Sequence, residues 1–517
     1  MKGIPFREIR LFLPVLLFVF GGCAPRQDYT NPIIYADYSD PDVVCVDGEY
    51  WMTASSFNCT PGLQILHSTN LVDWEIVSAA LPEGLSYQGD ESLETRHGKG
   101  VWAPSIRFHD GLFYIFWGDP DYGIFQVHSS DPLGGWSEPL CVIPGKGMID
   151  PCPLWDDDGR VWLVHAWAKS RCGFNNILSV RELSPDCTVA ISDTVTVFNG
   201  FENGQVTTEG PKFYKRGEEY VILCPSGGVK NGHQLVLKSA TVTGKYEMRV
   251  AMHSGDVDVF GPHQGGWVTD AAGKDWFLHF EDRYAWGRVV HLQPMSWTAD
   301  GWCIIGVDSD GDGIGEPVLS HERPTPFRRK AVPVRPELLF QYQGNPQASI
   351  SDTSIIPSDS FPNLWLESSM RLMKITGPEM EYSDTFPLPV SGRQGIIVFG
   401  TDYATIETAV KDGQTVILRK DCLRADKGGV ETVVDSILVP VGCTKVTLCV
   451  SIKELRNLEL PDYDGGDTYS AICTFRYSFD PTAGTSAAVN PATLGPDFIA
   501  APGRWIGAKT GSFKVGK

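Results

Sequence analysis

The sequence contains five related segments, each built around a proline that leads into a strand-like run. The segments are SDPDVV (39–44), WAPSIRF (102–108), IDPCPLW (149–155), TEGPKFY (208–214) and GPHQGGWV (261–268). A second apolar run follows each segment after a short turn, for example LFYIFWG (112–118). The intervals between the prolines are long enough for about four short strands. A repeat of this length predicts a five-bladed β-propeller over residues 31–325.

Three of the five segments carry a carboxylate beside the proline. Asp40 and Asp150 directly precede the prolines of the first and third segments, and Glu209 stands two residues before that of the fourth. Equivalent positions of a propeller converge on one axis, so we expect these side chains to share a pocket. A single Asp-Pro would indicate only a turn. Asp42 is the nearest competitor of Asp40, because it faces the same side of the strand but lies further along it.

The pattern changes after the basic, proline-rich stretch ERPTPFRRKAVPVRPE (322–337). From residue 338 to the end, apolar runs such as QGIIVFG (394–400) and KVTLCV (445–450) recur at the spacing of a β-sandwich. Helical periodicity is scarce throughout the chain. We therefore predict an all-β protein, with the propeller followed by a β-sandwich domain at 338–517.

The first 23 residues have the features of an export signal rather than of a folded domain. Basic residues precede the apolar run LFLPVLLFVF (11–20), which is too short for a typical transmembrane helix. Gly21, Gly22 and Cys23 follow it, as in a bacterial lipoprotein signal that is cleaved before an acylated cysteine. The alternative is an ordinary secretory signal. We expect an exported protein, on the periplasmic or outer-membrane surface, held to the membrane only by its N-terminal lipid.

The formal net charge of the chain is −20. A nucleic-acid partner is disfavoured, because phosphate binding requires a basic face. A neutral sugar is compatible with this charge. Two or three carboxylates in a pocket with aromatic walls suit glycoside hydrolysis, in which one carboxylic acid protonates the leaving oxygen and one carboxylate activates water or attacks carbon.

The motifs resemble glycoside hydrolase family 43, a family of inverting enzymes with a five-bladed propeller. The resemblance extends from Asn31 to about Pro317 and rests on several motifs: DYSDPDV (37–43), PGLQILHSTNLVDWE (61–75), VWAPSI (101–106), IDPCPLWDDDG (149–159), TEGPKFYKRG (208–217) and GRVVHLQPMSW (287–297). The region at 338–517 resembles the concanavalin-like sandwich of xylosidase-type members, in which a loop closes one side of the pocket.

This resemblance implies a role for each of the three carboxylates. Asp40 is expected to be the general base and Glu209 the general acid. Asp150 is expected to raise the pKa of the acid by charge proximity and to orient it.

Three other residues are singled out by the repeat or by the resemblance. Trp102 replaces the carboxylate in the second segment and is expected to bind the sugar ring as an apolar wall, unless it is a core residue. Arg288 is expected to bind sugar hydroxyls, unless it forms a surface salt bridge. His263 is expected beside a calcium or other ion at the propeller axis, unless it is a structural histidine. No cofactor is expected to be required.

The predicted activity is that of an inverting exo-glycosidase acting on plant cell-wall polysaccharides such as arabinan, arabinoxylan and xylan. It would release α-L-arabinofuranosyl or β-D-xylosyl units from non-reducing ends, with a narrow preference for arabinofuranosyl. The alternatives are an endo-arabinanase or xylanase of the same family, a non-catalytic glycan-binding propeller, and a retaining fructan-type hydrolase. The last typically shows Asn-Asp-Pro and Arg-Asp-Pro motifs, whereas this chain has Ser39 and Ile149 before the two Asp-Pro pairs.

Overall fold

The structure is a computed structural model, and it describes residues 28–85, 87, 96–327, 332–344, 363–367, 370–388, 392–456, 469–479 and 491–515. Within these ranges the chain consists of β-strands and turns, with two four-residue helices, α1 (Lys169–Cys172) and α2 (Gly228–Asn231). The predicted all-β class is therefore confirmed. The export signal predicted around Cys23 lies outside the described residues. None of the described helices is long and apolar enough to span a bilayer.

Five antiparallel sheets of four strands follow one another in the described part of the chain, after a short strand β1 (Asp28–Thr30). The first sheet contains β2 (Asp42–Val46), β3 (Glu49–Thr53), β4 (Gly62–Ser68) and β5 (Glu75–Leu81). The second contains β6 (Trp102–His109), β7 (Leu112–Asp119), β8 (Gly123–Ser129) and β9 (Leu140–Pro144). The third contains β10 (Met148–Trp155), β11 (Val161–Trp167), β12 (Ile177–Leu183) and β13 (Val195–Asn199).

The last two of these sheets repeat the same order. The fourth contains β14 (Lys212–Arg216), β15 (Glu219–Ser226), β16 (His233–Ser239) and β17 (Glu247–Met252). The fifth contains β18 (His263–Thr269), β19 (Asp275–Asp282), β20 (Arg288–Trp297) and β21 (Cys303–Ile305). Asp-Gly pairs form some of the connections between strands. Asp47-Gly48 and Asp110-Gly111 both have positive φ at each residue, which the tight hairpins between first and second strands require.

The five sheets are neighbours in sequence order, and the last contacts the first. The first strands β2, β6, β10 and β14 contact one another in succession, β18 contacts β15 and β16 of the fourth sheet, and β18 also contacts β2. The strand β22 (Ser320–Glu322) pairs with β1 and so joins the two ends of this region. The proline of each of the five repeated segments, which we call the marker proline, lies near the beginning of the first strand of its sheet or just before it. The starts of these strands are therefore the place where predicted site residues can meet.

The remaining described strands form two antiparallel sheets. The larger has the order β23, β24, β34, β26, β27, β28, β29, and the smaller has the order β25, β30, β31, β32, with β33 paired to β31. Their bounds are β23 (Phe340–Tyr342), β24 (Arg371–Lys374), β25 (Glu379–Pro387), β26 (Arg393–Phe399), β27 (Tyr403–Lys411), β28 (Gln414–Cys422), β29 (Thr432–Leu438), β30 (Lys445–Arg456), β31 (Tyr469–Phe479), β32 (Ala492–Thr493), β33 (Phe498–Ala500) and β34 (Lys509–Val515).

One hydrophobic core joins the two C-terminal sheets and reaches into the five-sheet region. It contains Ile396 and Ile406 from the larger sheet and Leu448 from the smaller. Trp286, from the turn between β19 and β20, is fully buried in the same core. Because the side chains interlock across this boundary, the C-terminal sheets are held against the fifth sheet, close to Arg288.

Candidate active site

The backbone bends in the same way at the start of the first strand of each of the five sheets. We call these five strands the innermost strands. The residue directly before the marker proline has a positive φ, from +29° to +59°, in all five segments: Asp40, Ala103, Asp150, Gly210 and Gly261. Residues before proline normally favour extended backbone, and a positive φ is uncommon outside glycine, although aspartate tolerates it better than most. Such conformations concentrate at functional sites.

These bends lead into one cavity of about 470 Å³. Its walls come from the starts of the innermost strands and from two loops: Asp40, Phe57, Trp102, Ala103, Ile149, Asp150, Glu209, Gln264, Arg288 and Trp505. The three predicted carboxylates therefore lie together, with Trp102 and Arg288. The sixth predicted residue, His263, contacts the cavity through Glu209.

Asp40 is a buried carboxylate that is oriented by two donors. The Ser55 hydroxyl donates to Asp40 Oδ2 at 2.6 Å, and Arg288 Nη1 donates to Oδ1 at 3.4 Å. Ser55 Oγ also accepts the backbone N–H of Ala103 at 2.7 Å, which connects the first and second segments. This arrangement suits a base, because both contacts leave lone pairs of the carboxylate available to accept a proton from water.

Asp42, the competitor of Asp40, has a different environment. It is fully buried, and its Oδ2 accepts from Arg107 Nη1 at 2.6 Å and from the backbone N–H of Ile106 at 2.9 Å. Lys212 Nζ lies 4.0 Å from the same oxygen. A charge-compensated carboxylate without access to water cannot activate a water molecule, so Asp42 is structural.

Glu209 is the most exposed of the three carboxylates, with 28% of its side chain accessible. His263 Nε2 lies 3.1 Å from Glu209 Oε1, and the imidazole is only 1% exposed. This hydrogen bond fixes the carboxyl group while leaving one of its oxygens free to face the cavity.

Asp150 is buried beneath Glu209. Its Oδ2 accepts the backbone N–H of Gly210 at 2.7 Å, in the residue that follows Glu209. Burial, and next the negative charge of Glu209, raise the pKa of Asp150 well above its usual range, against the opposing effect of the Gly210 N–H. Asp150 can therefore hold a proton in the free site, in addition to the modulating role that the sequence predicts.

Arg288 and Trp102 both belong to the wall of the cavity. The Arg288 backbone N–H donates to Asp37 Oδ1 at 2.9 Å, and its guanidinium lies over the Phe280 ring at 4.8 Å. Arg288 thus lines the cavity beside Asp40 rather than forming a surface salt bridge. Trp102 is half-buried, and its indole N–H donates to the Gly98 carbonyl at 3.0 Å.

Trp505 is a wall residue that the sequence did not single out. It belongs to the C-terminal region, has a positive φ of +65°, and is 58% exposed. Its ring lies 6.3 Å from that of Trp102 at an angle of 65°. Two backbone N–H groups close to it in sequence hold this loop in place: the Gly507 N–H donates to Asp37 Oδ2 at 3.0 Å, and the Ala508 N–H donates to the Ala285 carbonyl at 2.7 Å.

The resemblance predicts a largely water-coordinated ion beside His263, where the described residues contain no group of three side chains that could hold a metal by themselves. Calcium takes about 6–8 oxygen ligands. His263 offers nitrogen atoms only, and Nε2 is engaged by Glu209; Nδ1 is buried and has no hydrogen-bond partner among the described residues. The grouping of three acidic or imidazole side chains found in the described ranges is elsewhere, on the turn of Asp308, Asp310 and Asp312. The ion remains a prediction, and no step below depends on it.

The sequence profile of the family described as Glycosyl hydrolases family 43 matches residues 29–303, which is more than half of the chain. The protein therefore belongs to glycosyl hydrolase family 43. The matched residues contain the three carboxylates and the five-sheet region as far as Cys303.

Among similar proteins, a putative beta-xylosidase of Xylanibacter ruminicola is 39% identical over 296 residues, which cover 57% of this chain and 54% of the relative. The non-reducing end alpha-L-arabinofuranosidase of Bacteroides ovatus is 29% identical over 310 residues, which cover 55% of this chain and 54% of the relative. The chain thus spans about half the length of the curated relatives that it matches. The structure of a xylan beta-1,4-xylosidase from Bacillus halodurans has a TM-score of 0.72 at 20% identity, over 93% of this chain and 96% of that chain, which demonstrates a shared fold.

Proposed function

We propose that this protein is a glycoside hydrolase that releases single pentosyl units from the non-reducing ends of plant cell-wall polysaccharides by an inverting mechanism. The observation that carries the proposal is the meeting of Asp40, Asp150 and Glu209 in one cavity, each with different partners. Membership of family 43 supports the hydrolytic activity. We also propose that the five sheets are the blades of a propeller and that the C-terminal sheets form a sandwich domain.

In the proposed reaction, Asp40 removes a proton from a water molecule that attacks the anomeric carbon. Glu209 donates a proton to the glycosidic oxygen as the bond breaks. Inversion requires the two carboxyl groups to be roughly 6.5–9.5 Å apart, so that water fits between base and sugar. Ser55 and Arg288 orient the base, and His263 orients the acid.

Asp150 and Glu209 form a carboxyl pair in which one negative charge disfavours the second. The raised pKa of Asp150 supports retention of a proton within this pair at pH values at which an isolated carboxyl group would have lost it. Because the two groups titrate together, the proton belongs to the pair rather than to one residue. Substrate binding at the more exposed Glu209 would favour its transfer to the leaving oxygen.

The paired indoles of Trp102 and Trp505 support action at a chain end. They form one side of the cavity, and an aromatic wall at that side would obstruct a polysaccharide that continued past it. The names of the relatives include both a beta-xylosidase and an arabinofuranosidase. Because the relative at 39% identity is a putative beta-xylosidase, β-D-xylosides come first among the substrates to be tested, before α-L-arabinofuranosides.

The experiment is a screen of nitrophenyl glycosides, followed by digestion of arabinan, arabinoxylan and xylan. Release of a single pentose with an inverted anomeric configuration, observed by NMR in the first minutes, is the expected result. Retention of configuration would exclude Asp40 as a base. Binding of glycans without turnover would indicate the non-catalytic alternative. Export through a lipidated Cys23 remains a prediction, which metabolic labelling with a fatty acid in a bacterial host would test.

A further inference from the structure

A second cavity lies at the opposite ends of the same five innermost strands. It is wider and more open than the candidate active site, with an empty volume of about 1330 Å³ compared with about 470 Å³, both including space that is open to solvent. The active-site cavity is lined by residues at the starts of β6, β10 and β18, whereas this cavity, which we call the far-end cavity, is lined by residues near their ends. Its lining includes His109, Trp155, Tyr214, Lys215, Trp267 and Thr269.

A buried polar layer separates the two cavities. Asp42 and Lys212 are almost completely inaccessible, and Arg107 bridges Asp42 and the Cys152 sulfur, at 2.6 and 3.0 Å. Lys212 Nζ donates to the Pro104 carbonyl at 2.8 Å. These contacts connect neighbouring strands through Asp42 Oδ2, while Asp42 Oδ1 is buried without a hydrogen-bond partner among the described residues. The layer of buried side chains lies between a ligand in the far-end cavity and the catalytic carboxylates. The far-end cavity is therefore a distinct site.

The aromatic rings of the far-end cavity are held in place by their neighbours. Trp155 stacks on His109, with ring centroids 4.8 Å apart and an angle of 12°. The Trp267 indole N–H donates to Asp275 Oδ1 at 2.9 Å, and its ring lies 5.1 Å from that of Tyr214. Both tryptophans remain partly exposed. Fixed aromatic faces are surfaces on which the C–H groups of a sugar ring can pack with little loss of side-chain entropy.

The basic side chains that line this cavity, Arg107 and Lys215, are already paired with carboxylates. Arg107 is paired with Asp42, and Lys215 is paired with both Asp156 and Asp157. An anionic ligand would have to compete with these carboxylates, whereas a neutral polyhydroxylated ligand needs only hydrogen-bond partners. The exposed His109 and the hydroxyl of Thr269 offer such partners beside the rings. The charge balance thus favours a neutral saccharide.

We propose that the far-end cavity is a non-catalytic binding site for the neutral pentose backbone of the polysaccharide substrate, with Trp155 and Trp267 as its stacking residues. The identity of the ligand rests on the proposed function. The site would hold a polymer on one face of the protein while chain ends are hydrolysed at the other, and it would raise the local substrate concentration by the effective-concentration principle.

Affinity gel electrophoresis with soluble arabinoxylan and linear arabinan tests the proposal. The parent protein carries Asp40→Asn, so that hydrolysis does not alter the gel. We expect the double substitution Trp155→Ala and Trp267→Ala to weaken retention by at least one polymer about tenfold or more. Trp155→Phe and Trp267→Phe should keep most of the affinity. Phe201→Ala, which removes an aromatic side chain that is 62% exposed and lines neither cavity, is the matched control.

The same substitutions in the active protein separate this inference from the proposed function. The rate on polymer should fall, and the rate on nitrophenyl glycosides should be unchanged. Tryptophan-dependent retention without hydrolysis of any glycoside would overturn the proposed function and leave the binding site standing. Hydrolysis combined with equal retention of the parent and of the double alanine variant would overturn the binding site. If the double variant lacks a thermal unfolding transition, the two single alanine variants carry the comparison.

Discussion

Asp40 and Asp42 stand on either side of one proline, yet they belong to opposite kinds of environment. Asp40 faces the cavity and has a guanidinium at 3.4 Å, whereas Asp42 is buried in the polar layer with a guanidinium at 2.6 Å and an ammonium at 4.0 Å. The same contrast separates the two ends of the innermost strands. Asp40, at the active-site end, has one long contact to a guanidinium, whereas Asp42 has one oxygen paired with Arg107 and the other buried without a hydrogen-bond partner among the described residues. Charge compensation, rather than residue type, thus decides which acid can react.

The largest expected effect is that of Asp40→Asn. The amide keeps the size of the side chain and can still accept from Ser55, but it cannot take a proton from water. The turnover rate should fall by about 10²–10⁴, with an unfolding midpoint near that of the wild type. Steady-state kinetics on a nitrophenyl xyloside and a thermal melt measure the two quantities. A variant that keeps a tenth of its activity would remove Asp40 from the base position.

Glu209→Ala should lose activity according to the leaving group. On natural oligosaccharides the loss should also be about 10²–10⁴. On glycosides of acidic phenols it should be smaller, because a good leaving group needs little protonation. A plot of log kcat against leaving-group pKa should be steeper for the variant than for the wild type. Parallel lines would contradict the assignment of Glu209 as the acid.

Asp42→Asn tests the other side of the comparison. It leaves the buried Arg107 guanidinium without a counter-charge, which typically costs about 3–5 kcal/mol. The free energy of unfolding should fall by this amount, as measured by urea denaturation. The fraction that stays folded should turn over substrate at close to the wild-type rate. A stable but inactive Asp42→Asn protein would reverse the roles of the two aspartates.

Trp505→Ala should have a moderate effect on binding. Removal of one aromatic wall should raise KM for small glycosides about tenfold, with little change in kcat. Trp505→Phe is the control and should restore most of the affinity. If the alanine variant also cleaves internal bonds of a polysaccharide, viscosity will fall faster than reducing ends accumulate, and the Trp505 loop is then what restricts the wild type to chain ends.

The smallest effect is the stability change of Asp150→Asn. The pKa of Asp150 is raised in the folded state, so stability is greatest at low pH and declines as pH rises from about 3.8 through the raised value. The asparagine side chain does not titrate, so at neutral pH the variant should be more stable than the wild type. Its Tm should be higher by about 2–4 °C for each kcal/mol of unfavourable ionisation free energy that the substitution removes. Melting curves at several pH values between acid and neutral measure this. A constant difference across that range would contradict the raised pKa.

The all-β class and the convergence of Asp40, Asp150 and Glu209 could be predicted from the repeat in the sequence. Both follow from local signals, namely apolar runs, Asp-Gly turns and a recurring proline. The backbone conformation at these positions was not accessible in this way. Propensity before proline argues for extended backbone, whereas Asp40 and Asp150 both have a φ of +55°.

Trp505 and Ser55 illustrate what local signals cannot contain. Trp505 reaches the cavity because Gly507 is hydrogen-bonded to Asp37, which is separated from it by most of the chain. The glycine-flanked loop GRWIG (503–507) indicates a turn, but not the surface against which it lies. Ser55 lies beside Asp40 because of the register of the β2–β3 hairpin, in which the Ser55 N–H donates to the Ser39 carbonyl, and the motifs around the prolines do not contain that register. The hydrogen bond of His263 to Glu209 likewise depends on the contact between two sheets.

The left-handed bend before each marker proline has a consequence for how this scaffold can change. Glycine takes that backbone conformation without steric cost, and it already stands there in the fourth and fifth segments. Replacement of Asp40 by glycine would therefore preserve the bend while deleting the base. Aspartate and glycine codons differ by a single base, so under the proposed function hydrolysis of a sugar and mere retention of it would be one point mutation apart.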